Sequence, residues 1–491
     1  MKRLLILIHR YLGIPLSVAF VVWFVSGIVM IYSGGLPAIP RDEQLARLEP
    51  IDLARVLLTP LAAWSRAGMS GVPSGVTLRT VLGRPAWQFD LPFAGKLAVF
   101  ADNGTALGEV TPEQAAAVAS EYLDVPAAQL RFERTLFDPD QWTLGQRGDL
   151  PLHLFSVADT KATRVYVSVD SGEVSLVTNR SSRFVAWIGV IPHWLYFAPL
   201  RLNQPLWYRT VVALSALGCV LAAIGLILAV TQFRRSRPFT LEKSVRYQGW
   251  MRWHYISGAI FGVFALTWVF SGLMSMEPFA WTNATGLEVS GNALTGGPLD
   301  VESFPDIRSG SAAGRQLDAL RAGEIEYLQI LGEPFFAVTT ERRELINANT
   351  LERASQFDTD AVVNALNDAA GEAVVVSAEL LHEYDAYYYA RNGAAALPVL
   401  RVRFDDPMQT WYYIDPAEAR IVSRVHRYSR IERWLFNGLH SLDFAFWYDR
   451  RPVWDIGMIA LSLGALLTSS IGMFLGFRRL SSTRLRNDAT P

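Results

Sequence analysis

Four of the seven histidines in this sequence lie next to long apolar segments, where an imidazole could bind a metal ion. His9 and His254 stand at the start of two apolar segments, and His193 and His440 come shortly before two others. A neutral imidazole is a common protein ligand of transition metals. A single histidine beside a membrane is more often an anchor or a hydrogen-bonded polar group, so the arrangement of the four has to decide between these interpretations.

Other reactive residue types are scarce in the 491-residue chain. Its one cysteine, Cys219, lies in an apolar segment. A lone cysteine excludes an internal disulfide, a Cys-x-x-Cys redox pair and a cysteine-ligated iron–sulfur cluster. The sequence contains no phosphate-binding loop, dinucleotide fingerprint or His-Glu-x-x-His motif, and the net charge of −1 does not indicate a nucleic-acid partner. We therefore predict no acid–base catalytic residue.

Four apolar segments are long enough to cross the hydrocarbon core of a bilayer. They are Tyr11–Tyr32, Trp207–Phe233, Tyr255–Met276 and Val453–Phe477. Aromatic residues typical of membrane interfaces flank them, namely Tyr32, Trp207, Tyr208, Trp447 and Tyr448.

Basic residues predict the orientation of these spans. They cluster at the N-terminus, at Arg234–Arg252 and after the fourth span, and the positive-inside rule places such segments in the cytoplasm. The sequence thus predicts a multi-pass protein of the bacterial inner membrane with both termini cytoplasmic. The long segments 35–205 and 278–450 are then periplasmic.

The two halves of the chain repeat one pattern at an offset close to 245 residues. The matched segments are His9–Gly13 with His254–Gly258, Ser26-Gly27 with Ser271-Gly272, and Ser182-Arg183 through His193 with Ser429-Arg430 through His440. Both halves enter the membrane from the cytoplasm and return to it. This predicts two parallel repeats related by a pseudo-twofold axis along the membrane normal.

The length of a span restricts which histidines can share a metal. A helix of about 20 residues is about 30 Å long, so His9 and His193 are predicted at opposite faces of the membrane. We call His9 and His254 the inner pair, and His193 and His440 the outer pair. The outer pair lies on the segments 184–197 and 431–446, which we predict to be helices along the membrane surface. A metal on the axis would receive two equivalent imidazoles from either pair, which leaves the usual zinc coordination incomplete.

The segments between the spans have the pattern of α+β domains. A helix is predicted over Pro112–Leu123, and strands over Leu130–Phe137, Leu152–Val157 and Arg164–Val169. The second half repeats them with a helix from Thr359 to Ala369 and strands over Ala373–Leu380, Leu397–Phe404 and Thr410–Ile414. A similar unit is predicted before each one, near 52–110 and 310–352.

The motifs together resemble a known family. The helix-and-strand unit ending in Tyr166-Val167-Ser168-Val169-Asp170 resembles a PepSY domain, and the spans resemble the PepSY-associated transmembrane family. The match rests on His9–Gly13, Ser26-Gly27, Tyr384–Tyr388 and the segment around His440, and it extends over nearly the whole chain. Part of that family is similar to inner-membrane siderophore reductases, which carry two b-type haems on paired histidines.

The resemblance implies a fold and a site. The expected fold is an α+β membrane protein with four transmembrane helices in two parallel repeats, each with a large periplasmic PepSY-like domain. The expected boundaries are 1–34 (first span), 35–182 (first periplasmic domain), 183–235 (interfacial segment and second span), 236–277 (cytoplasmic loop and third span), 278–428 (second periplasmic domain), 429–480 (interfacial segment and fourth span) and 481–491 (cytoplasmic tail). Two b-type haems are expected, one on each histidine pair. Arg10, Arg183 and Arg430 would pair with their propionates, although such arginines also extend towards the membrane surface without a ligand.

Two functions remain open at this point. The first is transmembrane electron transfer from a quinol or a cytoplasmic reductase to a ferric siderophore or another periplasmic ferric chelate. The second is a non-enzymatic protein that binds or regulates a periplasmic peptide or peptidase, with spans that serve only as anchors. His153, His382 and His426 are interpreted as ordinary domain residues. The segment His382–Tyr389 is interpreted as a half-buried strand, or else as an aromatic surface for a ligand.

Overall fold

Four long apolar helices form the first part of the architecture. A computed structural model describes residues 2–91, 95–237, 240–279, 286–290, 292–390 and 395–487. Each of the four helices is long and apolar enough to cross a membrane, and we call them the first to fourth spans. They are Lys2–Met30, Gln204–Gln232, Gly249–Met274 and Val453–Asn487. With the residues next to them they form one compact unit, Met1–Leu36, Ser181–Ala284 and Tyr428–Pro491.

The spans are longer helices than their apolar segments indicate, most clearly the first, third and fourth. The first and third spans begin nine and six residues before the predicted Tyr11 and Tyr255, and the fourth continues past Phe477 to Asn487. Hydropathy reports only the part of a helix that fits hydrocarbon, whereas backbone hydrogen bonding continues through the flanking basic residues. Consequently His9 and His254 lie inside helices, where their side chains have fixed directions.

The centre of the bundle is aromatic. Phe20 and Phe24 of the first span are buried together with Trp268 of the third. The Phe24 and Trp268 rings lie 5.9 Å apart between centroids. This packing fills the middle of the bundle and separates its two ends.

Short helices precede the second and the fourth spans. They are Arg180–Ile188, Val190–Trp194 and Ala198–Arg201 in the first half, and Arg427–Arg433, the π-helix Trp434–Gly438, Leu439–Ser441 and Ala445–Tyr448 in the second. The segments 184–197 and 431–446, which the sequence predicts to be helical, thus each consist of several short helices rather than one. Leu195 and Leu442 adopt left-handed backbone angles, with φ of 51° and 47°, and end the helices that carry His193 and His440.

The second compact unit comprises Pro37–Arg180 and Thr285–Arg427, and its described residues form three antiparallel sheets. Its strands are β1 Val76–Val81, β2 Arg84–Leu91, β3 Gly95–Phe100, β4 Leu130–Leu136, β5 Leu152–Val157, β6 Arg164–Ser168, β7 Val174–Thr178, β8 Glu324–Ile330, β9 Glu333–Thr339, β10 Arg343–Asn347, β11 Val375–Leu381, β12 Val399–Phe404, β13 Trp411–Asp415 and β14 Arg420–Val425. The six-stranded sheet has the order β10-β9-β8-β1-β2-β3. Its two halves come from distant parts of the chain and meet where β1 pairs with β8, from Val76 opposite Tyr327 to Arg79 opposite Glu324.

The two predicted helix-and-strand units are confirmed. The helix Pro112–Leu123 precedes the sheet β4-β5-β6-β7, and the helix Thr359–Ala369 precedes the sheet β11-β12-β13-β14. Thr111 and Gln114 form a reciprocal capping box at the start of the first of these helices. Further helices of this unit are Arg41–Ala46, Pro60–Arg66 and Ala312–Ala319, with single turns at Leu53–Arg55, Ala127–Gln129, Arg147–Asp149 and Val301–Ser303.

The aromatic segment after β11 is irregular, so its interpretation as a strand is wrong. The Asp385 carboxylate accepts hydrogen bonds from the backbone N–H groups of Tyr387 and Tyr388, each at 2.8 Å. Its second oxygen accepts from the Tyr413 hydroxyl at 2.8 Å and pairs with Arg401 at 2.7 Å. An aspartate that bonds the backbone two and three residues ahead stabilises a turn, which overrides the β-propensity of the tyrosines.

Candidate functional site

The inner pair is brought together inside the bundle. The imidazole centroids of His9 and His254 are 6.3 Å apart, and the rings are tilted by 42°. The Nδ1 atom of His9 lies 3.2 Å from the carbonyl oxygen of Leu221, and that of His254 lies 3.1 Å from the carbonyl oxygen of Thr468. A carbonyl oxygen only accepts, so each Nδ1 donates its hydrogen. The neutral ring then carries its lone pair on Nε2.

Two glycines make room for the inner pair. A Cβ atom on Gly225 would lie 2.9 Å from Cε1 of His9, and one on Gly472 would lie 3.1 Å from Cε1 of His254. Both distances are shorter than an ordinary carbon–carbon contact. Each glycine lies one helical turn after the carbonyl that holds the same histidine, so one turn of the second or fourth span both orients the ring and gives it space.

A cavity of about 510 Å³ adjoins the inner pair. All four spans line it, and its walls include both histidines together with the basic side chains Arg10, Arg478 and Arg479. The volume lies within the range of roughly 300–1,000 Å³ found for cofactor and ligand sites. The structure thus places the predicted Arg10 at the same cavity as His9, and it adds two arginines that the sequence did not single out.

The outer pair lies at the opposite end of the bundle. The centroids of His193 and His440 are 6.0 Å apart, and the rings are nearly perpendicular at 79°. Their Nδ1 atoms lie 3.1 Å and 3.0 Å from the hydroxyls of Ser26 and Ser271. Both hydroxyls donate to backbone carbonyls of their own helices, so their oxygens accept the hydrogen of each Nδ1.

The surroundings of His193 favour its neutral form. Burial lowers the pKa of His193 to about 4, so its imidazole is uncharged at neutral pH. A Cβ on Gly27 would be 3.4 Å from Cε1 of His193, and one on Gly272 would be 3.9 Å from that of His440. Gly27 and Gly272 therefore face the outer imidazoles, but with more space than the glycines beside the inner pair.

The distance between the two pairs follows from the helices that hold them. Ser26 comes 17 residues after His9 on the first span, and Ser271 comes 17 residues after His254 on the third. At 1.5 Å per residue the two pairs are about 25 Å apart along the bundle. The four histidines therefore form two separate two-histidine sites.

The ring distances can be compared with those of an ion held between two imidazoles. A metal–nitrogen distance of about 2 Å, with about 1.2 Å from each nitrogen to its ring centre, places two opposed centroids roughly 6.4 Å apart. The observed 6.3 Å and 6.0 Å are close to this value. Among the described residues, no group of three or more His, Cys, Asp or Glu side chains is arranged to hold a metal ion. The residues present thus fit bis-histidine coordination of a haem iron, which takes its other four ligands from the porphyrin, better than a closed zinc site.

The remaining predicted residues are placed less directly. Arg183 lies on the helix Arg180–Ile188 and Arg430, which is buried, lies on Arg427–Arg433. These helices lead to the segments that carry the outer pair, and a role with propionates stays a prediction. His153 is buried, with Nε2 at 2.8 Å from the carbonyl oxygen of Val110 and Nδ1 at 2.9 Å from the Thr135 hydroxyl. Both of its ring nitrogens are thus occupied within the protein.

The structure also identifies residues that sequence reasoning missed. They are the carbonyls of Leu221 and Thr468 and the glycines 225 and 472. A signal for the glycines was available, since Ile224-Gly225 and Ile471-Gly472 match at the 247-residue offset that also separates His193 and His440. Backbone carbonyls leave no such signal in a sequence.

The comparison with known families bears on the same residues. The model of the PepSY-associated TM region matches residues 6–324, which is more than half of the chain. The chain belongs to the PepSY-associated transmembrane family. In this PepSY-associated membrane protein the matched region includes His9, His193 and His254, and His440 lies beyond it. A comparison with curated proteins gives no match.

Proposed function

We propose that this protein carries electrons across the bacterial inner membrane on two b-type haems and reduces a ferric chelate, such as a ferric siderophore, in the periplasm. The observation that carries the proposal is the pair of two-histidine sites about 25 Å apart along one helical bundle. In each site the imidazoles are 6.3 Å or 6.0 Å apart, and each Nδ1 is engaged by the protein. Hydrogen bonds of this kind, made by the ring nitrogen that does not bind the metal, fix the tautomer and the direction of a ligating imidazole.

The inner pair would lie at the cytoplasmic end of the bundle, and the two halves of the chain would be parallel repeats. Exposed arginines at residues 234, 235 and 246 support a cytoplasmic location for the end of the bundle that carries the inner pair. The outer pair and the sheet-containing unit are then periplasmic. Equivalent contacts at offsets of 245 to 247 residues, such as those of Ser26 with His193 and Ser271 with His440, support two parallel repeats.

The chain's own residues perform the tasks that electron transfer requires. Bound haem would supply reversible one-electron oxidation and reduction. His9, His254, His193 and His440 would hold the iron, and Leu221, Thr468, Ser26 and Ser271 would orient these imidazoles. Arg10, Arg478 and Arg479 would offset the charge of propionates at the inner cavity. No side chain needs to transfer a proton.

The chemistry of the acceptor follows from its hard oxygen ligands. One electron converts Fe(III) to Fe(II), which binds hard oxygen donors more weakly, so reduction would release iron from the chelate. A quinol or a cytoplasmic reductase would supply the electron. The proposal thus connects a donor on the cytoplasmic side with an iron complex on the periplasmic side.

The experiment measures haem content and vectorial reduction in the same preparation. Protein purified from haem-replete cells should contain about two b-type haems per chain by the pyridine haemochrome assay. Proteoliposomes with trapped dithionite and an external ferric chelate should produce external Fe(II), which a membrane-impermeant ferrous indicator detects.

Two variants complete the design. His254→Ala should abolish this Fe(II) production, whereas Cys219→Ala, a change on the second span at a side chain packed against the apolar core of the bundle, should preserve it. A haem-free protein from haem-replete cells would overturn the proposal and favour a non-enzymatic protein that binds or regulates a periplasmic peptide or peptidase. Haem-loaded protein with equal rates in wild type and His254→Ala would contradict the transmembrane route.

A further inference from the structure

The backbone that follows each outer histidine has an unusual conformation. Two residues after His193 and His440, Leu195 and Leu442 have φ angles of 51° and 47°. Leucine rarely adopts this left-handed region, because its Cβ crowds the following carbonyl. Such a conformation persists only where surrounding contacts hold it. The position of the outer imidazoles therefore depends on the contacts that hold Leu195 and Leu442 in this conformation.

In each half of the chain, a tryptophan side chain donates a hydrogen bond to the backbone next to the left-handed leucine. Nε1 of Trp207 donates to the carbonyl oxygen of Trp194 at 2.8 Å, and Nε1 of Trp454 donates to that of Ser441 at 3.0 Å. In each case the accepting carbonyl belongs to the one residue between the histidine and the left-handed leucine. Each tryptophan comes 14 residues after its histidine, at the start of the second or the fourth span. The same contact thus occurs in both halves of the chain.

Two contacts together support each outer histidine and the peptide that follows it. Ser26 of the first span accepts from Nδ1 of His193, and Trp207 of the second span holds the peptide that follows it. In the second half Ser271 and Trp454 contact His440 and Ser441 in the same way. Each outer histidine is therefore held by two spans, one distant in sequence and one that begins shortly after it.

We propose that Trp207 and Trp454 are positioning residues that hold His193 and His440 in the geometry needed for bis-histidine coordination of the outer haem. The inference rests on the proposed function and deepens it. An interface tryptophan would direct its indole N–H to lipid headgroups and water, whereas these two direct it to the backbone of the histidine segments. Without the indole hydrogen bond, Leu195 or Leu442 leaves the left-handed conformation more readily. The imidazole that precedes it then leaves its position more often.

Loss of the indole hydrogen bond should have a larger effect in the second half of the chain than in the first. Trp454 is 5% exposed and lies in the core of the bundle. Trp207 is more exposed, and the Arg201 guanidinium lies 4.5 Å from its ring centroid. A partly exposed indole leaves room for water to replace its hydrogen bond, so we expect the larger effect from Trp454.

The test replaces each indole with a ring that cannot donate. Trp207→Phe and Trp454→Phe remove the N–H and keep most of the packing. The matched control is Trp87→Phe, because the buried Trp87 also donates from Nε1 to a backbone carbonyl, that of Leu58 at 2.9 Å, in the sheet-containing unit. A general loss of stability should appear in all three variants, and a change at the outer pair only in the first two.

Two readouts separate the positioning role from the haem itself. In haem-loaded, reduced protein, carbon monoxide binding reports iron that has lost one imidazole, since two axial histidines leave no open position. In haem-free protein, the rate of His440 modification by diethyl pyrocarbonate, measured by mass spectrometry, reports how often the segment opens. A hydrogen bond of this kind changes an opening equilibrium by roughly three- to tenfold. We expect that increase for His440 in Trp454→Phe, with His254 unchanged, together with carbon monoxide binding at one of two haems.

The outcomes are distinguishable. Unchanged His440 reactivity in Trp454→Phe, or equal changes in Trp87→Phe, would overturn the positioning role even if both haems are present. A wild-type protein without haem would overturn the proposed function, while the reactivity of His440 in that protein would still decide whether the indole holds the segment.

Discussion

Replacement of Gly225 by alanine should selectively disturb the inner pair. The new Cβ would lie 2.9 Å from Cε1 of His9. The His9 imidazole is already held by its hydrogen bond to the Leu221 carbonyl, which belongs to the same span as Gly225. Either the imidazole moves by about 0.5 Å or more to restore an ordinary contact, or the second span shifts. Both movements disturb the position of His9 relative to His254.

The size of the effect follows from the cost of overpacking. An extra methyl in a well-packed site costs about 1–3 kcal/mol. Alanine also stabilises a helix interior by about 1 kcal/mol relative to glycine, which conceals part of this cost in a measurement of overall stability. If the strain falls on the imidazole, the inner site should bind its haem about tenfold to 100-fold more weakly.

Two further glycine variants provide a graded comparison. A Cβ on Gly472 would lie 3.1 Å from Cε1 of His254, so Gly472→Ala should have a smaller effect in the same direction. A Cβ on Gly258 would lie 3.5 Å from Thr468, an ordinary contact at the same cavity, so Gly258→Ala should behave as wild type.

The assay is haem titration of haem-free protein with the pyridine haemochrome assay as the endpoint. The expected order of affinity loss is Gly225→Ala, then Gly472→Ala, with none for Gly258→Ala. If Gly225→Ala binds two haems with wild-type affinity, or if Gly258→Ala loses as much affinity, the steric account of the inner site is wrong.

Three other outcomes are expected. A reporter fused after Arg486 should be cytoplasmic and one inserted near Asn103 periplasmic, and the opposite result for either would refute the orientation. Ser26→Ala should raise the midpoint potential of the outer haem alone, because Nδ1 of His193 loses its acceptor and the imidazole becomes a weaker donor that stabilises Fe(III) less; an equal change at the inner haem would argue against this. Asp385→Ala should destabilise the protein by about 3 kcal/mol, since it removes the acceptor of the Tyr413 hydroxyl and of two backbone N–H groups and one of the two carboxylates paired with Arg401, and an unchanged thermal unfolding midpoint would contradict the role of Asp385 in the turn.

Helices and spans whose ends or lengths depend on nearby residues could be predicted from the sequence. The helix Pro112–Leu123 begins and ends at the predicted residues, because Thr111 caps it and Asp124, in the left-handed region, follows its last turn. The spans were recognisable because a bilayer requires a fixed length of apolar side chains. The repeat offset placed His9 with His254 and His193 with His440, and the structure brings the ring centroids of these pairs to 6.3 Å and 6.0 Å from one another.

The contacts between distant segments could not be predicted. The pairing of β1 with β8 joins strands that are some 250 residues apart, and neither strand carries a local signal for its partner. The carbonyls of Leu221 and Thr468 are identical in sequence terms to every other carbonyl. Trp207 has the residue type and the position of a membrane-interface aromatic. Only the fold shows that its N–H donates to a backbone carbonyl.

One segment was misinterpreted for a physical reason. The tyrosines after β11 have high β-propensity, which favours a strand when they are considered alone. Asp385 instead bonds the backbone of the two tyrosines that follow it at Tyr387 and Tyr388. Side-chain hydrogen bonds to the nearby backbone compete with strand pairing, and here they determine the conformation.

The most direct test of the central claim counts haems in paired histidine variants. His9→Ala and His254→Ala should each remove one haem, and the double variant should remove no more, because both residues serve one iron. His193→Ala and His440→Ala should behave in the same way at the outer site. His9→Ala combined with His193→Ala should remove both haems, since independent sites lose their ligands additively. Loss of two haems from His9→Ala with His254→Ala, or of only one from His9→Ala with His193→Ala, would contradict the two-site account.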